Sequence, residues 1–498
     1  MKKILLAHKS ALVLFGSLFL GLTFLVTSCA FLTWYYRLAG FMSGKWVDLL
    51  AESGVYIIHI LGMILFSVLV RRKPGLILRP AALAAILAAW FLLCAGSVFA
   101  TASAAVLALG LLANFLIGPL FGYYLTTLSA CVPKGRRGIA FGLGGAFASI
   151  ATYLLSLPAG GTFIVTKGVW IVYGILAILA FFFGAPLLCA LREERASGDF
   201  QHLPGFRTAD GRITEGFRFF LLMAVTILLV DMVQNMGFYF PSVDITRAGI
   251  PHELSRAFYS VGLIGAGLLH DRNRKLGFII SSTTLIFPFV SLVLLDNLAA
   301  GLTVWILAYV ILGFFAVTRA LLFADLADTA PSLLFIASYG MMFGRAGEAF
   351  GIFLGVELSG SRALHITVLS VSFAVALVLL FMLFASVDAS AIGAAFAGEP
   401  EKAHTQPKGA VPASDPVQTF AAGYGFSYRE TEVLRCLLEG EINKEIAERM
   451  VISENTVKYH IKNIYKKTGC SSRKELTGLY HLQGKRAPSG EGEEDGTV

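Results

Sequence analysis

VYIIHILGMILFSVLVRRKPG, residues 55–75, runs from an apolar segment without a charged side chain straight into Arg71-Arg72-Lys73. An α-helix rises 1.5 Å per residue, so about 20 apolar residues cross a hydrocarbon core of ~30 Å. Such a run reads as a helix, because in lipid every backbone N–H and C=O must be bonded within its own segment. A basic cluster at its end marks a cytoplasmic loop.

The same pattern repeats along the chain. We read twelve spans, near 4–30, 47–70, 76–96, 98–130, 138–158, 168–191, 217–240, 254–270, 276–295, 300–323, 331–357 and 362–387. The composition agrees. Of 498 residues 56% are hydrophobic and only 14% charged, and mean hydropathy is +0.73. Ordinary globular chains carry roughly 25% charged residues, so a set of soluble domains is excluded for most of the length.

Lys and Arg set the expected orientation. One series of loops holds Arg71, Arg72, Lys73 and Arg79, then Lys134, Arg136 and Arg137, then Arg192, Arg195, Arg207, Arg212 and Arg218, then Arg272, Arg274 and Lys275. The opposite series holds only Arg37, Lys45, Lys167, Arg247, Arg256 and Arg362. The first series is expected to be cytoplasmic. With an even number of spans both termini are then cytoplasmic, in a multi-pass protein of the bacterial inner membrane. Met1-Lys2-Lys3 before an apolar run is also compatible with a signal peptide, and Val26-Thr27-Ser28-Cys29 with a lipoprotein cleavage box. The run from Ile4 to Ala30 is long enough to span, and keeping it completes the even count.

Six spans, a longer polar loop near 192–216, and six more spans resemble the major facilitator superfamily. Gly267-Leu268-Leu269-His270-Asp271-Arg272-Asn273-Arg274-Lys275 is similar to that superfamily's short-loop motif of glycine, Asp-Arg and following basic residues. The matching loop of the first half, Arg71-Arg72-Lys73-Pro74-Gly75, lacks the Asp. The resemblance implies two six-helix halves around a central site.

Polar groups inside spans are costly and tend to be functional. Span seven carries Asp231, Gln234 and Asn235, whose spacing places them on one helical face. Span ten carries Arg319, span eleven Arg345 and Glu348, and spans two and four His59 and Asn114. Two readings stand. These groups satisfy one another as glue between helices. Alternatively, Asp231, Gln234, Asn235, Arg319, Arg345 and Glu348 line a site for an unidentified small molecule or ion.

The chain changes character after the twelfth span. Residues 391–424, rich in Ala, Gly and Pro, read as a flexible linker with a span of roughly 30–35 Å. Residues 425–483 read as a small four-helix domain, and 484–498 as a disordered tail. In the small domain Val433, Leu434, Leu437 and Leu438 make one apolar face, and Gly440 stops that helix. A second helix near Asn443–Met450, a short turn, and a third helix begun by the N-cap Ser453 make a helix-turn-helix. Residues 454–474 carry six basic side chains against one acid, whereas 428–453 carry four against six. A positive face of that kind fits phosphates.

Asn443-Lys444-Glu445-Ile446-Ala447, Ile452-Ser453-Glu454-Asn455-Thr456-Val457-Lys458-Tyr459-His460 and Asn463-Ile464-Tyr465-Lys466-Lys467 resemble LuxR-type regulators almost residue for residue. The resemblance implies a domain that binds double-stranded DNA as a homodimer, the third helix in the major groove and the fourth at the dimer contact. It implies Lys458, Tyr459 and Lys462 at base edges and Lys444, Thr456 and Lys466 on the phosphate backbone, with Asn455 as a further DNA-binding residue. Glu430 resembles the family's structural acid. Ile442 departs from the usual capping serine, leaving Asn443 as substitute cap, and Gly478 weakens the fourth helix.

The expected fold class is therefore all-α: a polytopic bundle of about twelve spans plus a four-helix helix-turn-helix domain. The expected function is that of a membrane-bound one-component regulator, with a secondary transporter bearing a regulatory domain as the alternative. No phosphate loop, nucleophile elbow or receiver-like acidic pocket supports an enzyme. Six dispersed cysteines form no CxxC or Cys/His cluster, so neither metal nor other cofactor is expected.

Overall fold

The computed structural model describes residues 9–42, 46–47, 49–156, 166–195, 215–247, 254–293, 298–328, 331–358, 360–386, 416–426, 428–450 and 454–484. Among the described residues the secondary structure is helical throughout. The chain divides into two compact units, Met1–Glu401 and Lys402–Val498.

Among the described residues twelve main helical segments, with short helical turns between some of them, build the first unit. They are α1 (Lys9–Ala39), α2 (Val55–Arg72), α3 (Pro80–Phe99), α4 (Ser103–Cys131), α5 (Arg137–Ser156) and α6 (Val169–Arg195) in one half. The other half has α7 (Glu215–Arg247), α8 (Leu254–Arg272), a broken α9, α10 (Leu298–Ala327), α11 (Tyr339–Leu358) and α12 (Arg362–Ser386). Among the described residues nine helices are long and apolar enough to cross a membrane. The remaining three stand where spans eight, nine and eleven are expected. α8 and α11 carry charged groups, and α9 is split into Arg274–Ser282 and Phe287–Val293 by a 3-10 turn at Thr283–Ile286. Pro288 accounts for the split, since it has no N–H for the carbonyl of Thr284.

Lipid-facing stripes are plain on the outer helices. On α12 Val371, Val375, Val378 and Phe381 are all exposed, and on α6 Ile171, Ile175, Ile178 and Phe182. Exposed apolar faces of this length fit hydrocarbon rather than water.

The packing repeats between halves. α1 packs on α4, α5 and α6, while α7 packs on α10, α11 and α12. The halves meet where α5 packs on α8 and where α2 packs on α11, a pair related by the same six-helix shift. Gly138 and Gly267 make the α5–α8 crossing possible. A Cβ on Gly138 would strike the backbone oxygen of Gly267, and one on Gly267 that of Gly138. Cys29, the last residue of the stretch that resembles a cleavage box, is buried within α1.

In the second unit α13 (Pro416–Gly423), α14 (Tyr428–Leu438), α15 (Asn443–Met450), α16 (Glu454–Thr468) and α17 (Arg473–Gly484) surround one core. Val433, Leu434, Ile446, Val457, Ile464 and Leu476 are its fully buried members. Gly440, at φ +94°, ends α14 in the left-handed conformation that glycine adopts freely.

α13 corrects the expected linker at its C-terminal end. Phe420 is buried there, its ring 5.0 Å from Tyr424 and 5.3 Å from Tyr480 on α17. Apolar burial thus outweighs the Pro- and Ala-rich composition of the segment. The rest of the proposed linker and the tail after Gly484 lie outside the described residues. α15 begins at Asn443 itself, so Asn443 is one position too late to cap it; the Ile442 N–H donates to Glu445 Oε2 instead, at 2.9 Å. α17 runs unbroken through Gly478.

Candidate functional site

Two places deserve a functional reading, one in each unit. In the membrane unit four buried charges meet. Arg319 on α10 reaches Asp231 Oδ1 on α7 at 2.8 Å and Glu348 Oε1 on α11 at 2.7 Å. Arg345, one turn before Glu348, reaches its Oε2 at 2.7 Å. Its guanidinium also stacks 4.5 Å over the ring of Tyr56 and 5.6 Å over that of Phe121, a cation–π arrangement. Charges this deep persist only when paired.

The cluster borders a cavity of about 280 Å³. Its charged side is Asp231, Asn235, Arg319, Arg345 and Glu348. The first half supplies Phe24, Ser28, Tyr56, Phe141 and Ser149, so both halves contribute walls. Five of the six expected site residues therefore come together. Gln234 does not. Successive residues turn by about 100°, which carries Gln234 away from the cavity, and its Nε2 donates to Thr284 Oγ1 in the 3-10 turn. Asn235 lines the cavity while its amide donates to the Asp231 carbonyl at 2.8 Å. His59 and Asn114 pair with each other, 3.2 Å apart.

A second charged cluster joins the ends of α5, α8 and α10. Asp271 Oδ1 accepts the Gly138 N–H and Oδ2 the Ile139 N–H, both at 2.8 Å. These are open donors of the first turn of α5, where a carboxylate is favoured by the helix dipole. Arg137 reaches Asp325 at 2.9 Å and Asp328 at 2.8 Å, and Arg274 reaches Asp325 at 3.1 Å. Arg137 and Arg274, read as loop charges, are thus structural ties between halves: Arg137 binds the carboxylates at the end of α10, and Arg274 Nη2 donates to the Lys134 carbonyl at 2.7 Å.

In the second unit α16 presents two faces. Val457 and Ile464 are buried, whereas Lys458, Tyr459, Lys462 and Lys466 are exposed. Helical spacing of four aligns the three lysines. The side chains of Lys444, Asn455 and Thr456, and Ser453 as a whole, lie outside the described residues. Two of the basic residues counted for the positive face are used internally. Lys467 Nζ lies 2.7 Å from Glu430 Oε2 and donates to the Gly425 carbonyl at 2.9 Å. Arg473 donates to the Leu437 and Glu441 carbonyls, closing the end of α14. Glu430, 4% exposed, thereby holds α14 against α16.

Among the described residues no group of three or more His, Cys, Asp or Glu is arranged to hold a metal ion.

Residues 425–480 match the family model GerE, bacterial regulatory proteins of the luxR family. The probable transcriptional regulatory protein SgaR of Hyphomicrobium methylovorum is 44% identical over 66 residues, 13% of this chain and 28% of that protein. The regulatory protein SdiA of Escherichia coli is 45% identical over 51 residues, 10% of this chain and 21% of that protein. The nitrate/nitrite response regulator protein homolog of Haemophilus influenzae is 44% identical over 57 residues, 11% of this chain and 27% of that protein. The chain thus spans little more than a quarter, at most, of the length of these three relatives. The human organic anion transporter MFSD10 (TETRAN) superposes with a TM-score of 0.54 at 13% identity, covering 75% of this chain and 99% of that one. At that identity the likeness concerns the fold. The chain carries a LuxR-family helix-turn-helix domain at its C-terminal end and a major-facilitator-like membrane bundle before it.

Proposed function

We propose that this multi-pass membrane protein is a one-component transcription regulator whose membrane unit controls DNA binding by its LuxR-family domain. The exposed basic stripe Lys458, Lys462 and Lys466 on α16 is the observation that supports it most. The domain binds double-stranded DNA as a homodimer, with α16 in the major groove and Lys458, Tyr459 and Lys462 at base edges. Lys444, Thr456 and Lys466 contact phosphates, and Asn455 is a further DNA-binding residue. The loops bearing Arg71–Lys73, Lys134–Arg137 and Arg272–Lys275 are cytoplasmic, which puts both termini beside the DNA at the inner membrane.

Control runs through the cavity. A ligand that contacts Asp231, Arg319, Arg345 and Glu348 in one arrangement of the two halves, and less well in the other, shifts the population between them. Pairing of the tethered domains then changes their effective concentration on DNA. The chain has no part in covalent catalysis on this reading.

Transcript profiles of native cells carrying the full chain, its Asp231→Asn variant or residues 402–498 alone test this. The three are expected to affect one set of genes, with the cavity variant altering only their response to growth conditions. Identical profiles from all three would remove control by the membrane unit. Transport is the second reading, favoured by a cavity walled by both halves. Solute uptake by proteoliposomes together with unchanged transcripts would put it first.

A further inference from the structure

The cavity in the membrane unit is balanced in charge but not saturated in hydrogen bonds. Two guanidinium groups, Arg319 and Arg345, face two carboxylates, Asp231 and Glu348. Both oxygens of Glu348 are engaged, one by each arginine. Asp231 is engaged through Oδ1 alone. Its Oδ2 is buried and accepts no hydrogen bond; on the donor side Arg345 Nε and Arg319 Nε and Nη1 are buried and make none, although Nη1 lies in ion-pair contact with Asp231 and Glu348. Asp231 as a whole is 1% exposed. A buried polar atom without a partner is unfavourable, and each of these belongs to an ionised group, where the penalty is greatest.

A ligand with net charge would unbalance a site whose charged side chains are buried, which is disfavoured there. An organic cation satisfies Asp231 but meets two arginines. An organic anion satisfies Arg345 but meets two carboxylates. The unmatched carboxylate oxygen and the unmatched guanidinium donors are both served, with the net charge unchanged, by a molecule carrying one cationic donor and one anionic acceptor. The rings of Phe24, Phe141 and Tyr259 offer apolar walls for the remainder. A cavity of about 280 Å³ falls just below the ~300–1,000 Å³ of sites for drug-sized ligands, so the occupant is metabolite-sized.

We propose that this cavity binds a small zwitterion of amino-acid type. Its ammonium donates to Asp231 Oδ2, and its carboxylate accepts from Arg345 Nε. Its apolar side chain lies against the aromatic walls. The assignment rests on the reading of the membrane unit as ligand-responsive, and its test uses no DNA.

The test is calorimetric titration of the full chain in lipid nanodiscs with the proteinogenic amino acids. Each is compared with the amine lacking its carboxylate and the acid lacking its ammonium. At least one amino acid is expected to bind about tenfold or more tighter than either truncated partner. Asp231→Asn should lower its affinity by about tenfold while leaving that of the acid within roughly twofold. Arg345→Lys keeps the charge but removes the Nε–H, and should weaken the amino acid and the acid while sparing the amine. It serves where Asp231→Asn does not fold. If no amino acid binds, or the amine or acid binds equally well, the assignment is wrong. Binding without any effect on transcripts would refute control by the membrane unit and leave the ligand class standing. Control of transcripts with no amino-acid binding would do the reverse.

Discussion

Replacing Arg319 by Met removes the one group that neutralises two buried carboxylates. Asp231, 2% exposed in its side chain, has its ion pair to Arg319 at 2.8 Å. Glu348 keeps Arg345 at 2.7 Å after the change. The loss therefore falls on Asp231, left charged and unpaired at the centre of the bundle. Removing one partner of a buried pair costs about 3–5 kcal/mol. Adding Asp231→Asn takes away the stranded charge and leaves the Arg345–Glu348 pair whole. The double variant should therefore recover to within about 1–2 kcal/mol of the parent, since neutral groups replacing a buried pair are nearly tolerated. Unfolding of the full chain by SDS in mixed micelles reads all three. A double variant no more stable than Arg319→Met would refute the idea that Asp231 is the group Arg319 compensates.

Phe420→Ala should destabilise the second unit, residues 402–498, by about 3 kcal/mol in a urea titration, as other large-to-small core changes do; a change near zero would return α13 to the linker. Glu475 accepts the Ser471 N–H at 2.7 Å and the Ser471 hydroxyl at 2.9 Å, and these bonds hold its carboxyl below the ordinary value. A lowered folded-state pKa contributes stability above the usual carboxylate range that is lost as pH falls through the folded value. The stability gap between wild type and Glu475→Gln should therefore close as pH falls below the ordinary glutamate value of about 4.3, and a gap that stays constant would exclude the effect. Lys458→Ala should cost about 1–3 kcal/mol on the preferred DNA site and relax base preference, whereas Lys466→Ala should weaken all sequences alike. Gel-shift titration against specific and random duplexes separates the two, and equal behaviour would overturn the division of roles.

The periodicities carried most of the fold. Apolar runs of span length with basic ends give α1 to α7, α10 and α12 directly, because lipid demands both features. Their ends drift, since little in the sequence stops a helix in an apolar run; α1 continues to Ala39, nine residues past its expected end. The apolar positions of α14 to α16 were equally legible, since helical spacing alone separates Val457 and Ile464 from the exposed lysines. What escaped depends on contacts between distant elements. The spacing of Asp231, Gln234 and Asn235 is right for one helix face, yet packing on the 3-10 turn takes Gln234 out of the site. The partnership of Asp231 with Arg319 joins residues 88 positions apart, which composition cannot register. Counting charges over 454–474 likewise cannot distinguish Lys467, held by Glu430, from Lys466, exposed to solvent. Phe420 sits among Pro and Ala residues that read as linker, and only Tyr480 across the domain shows it to be core.

The most direct test of the account is a genome-wide chromatin footprint of the full-length protein in its native cells, beside the double variant Lys458→Ala/Lys462→Ala. Discrete peaks with the wild-type chain, lost in the double variant while both proteins remain in the membrane fraction, are the predicted result. Peaks that persist in the double variant, or wild-type protein that occupies no discrete sites under any growth condition, would contradict it.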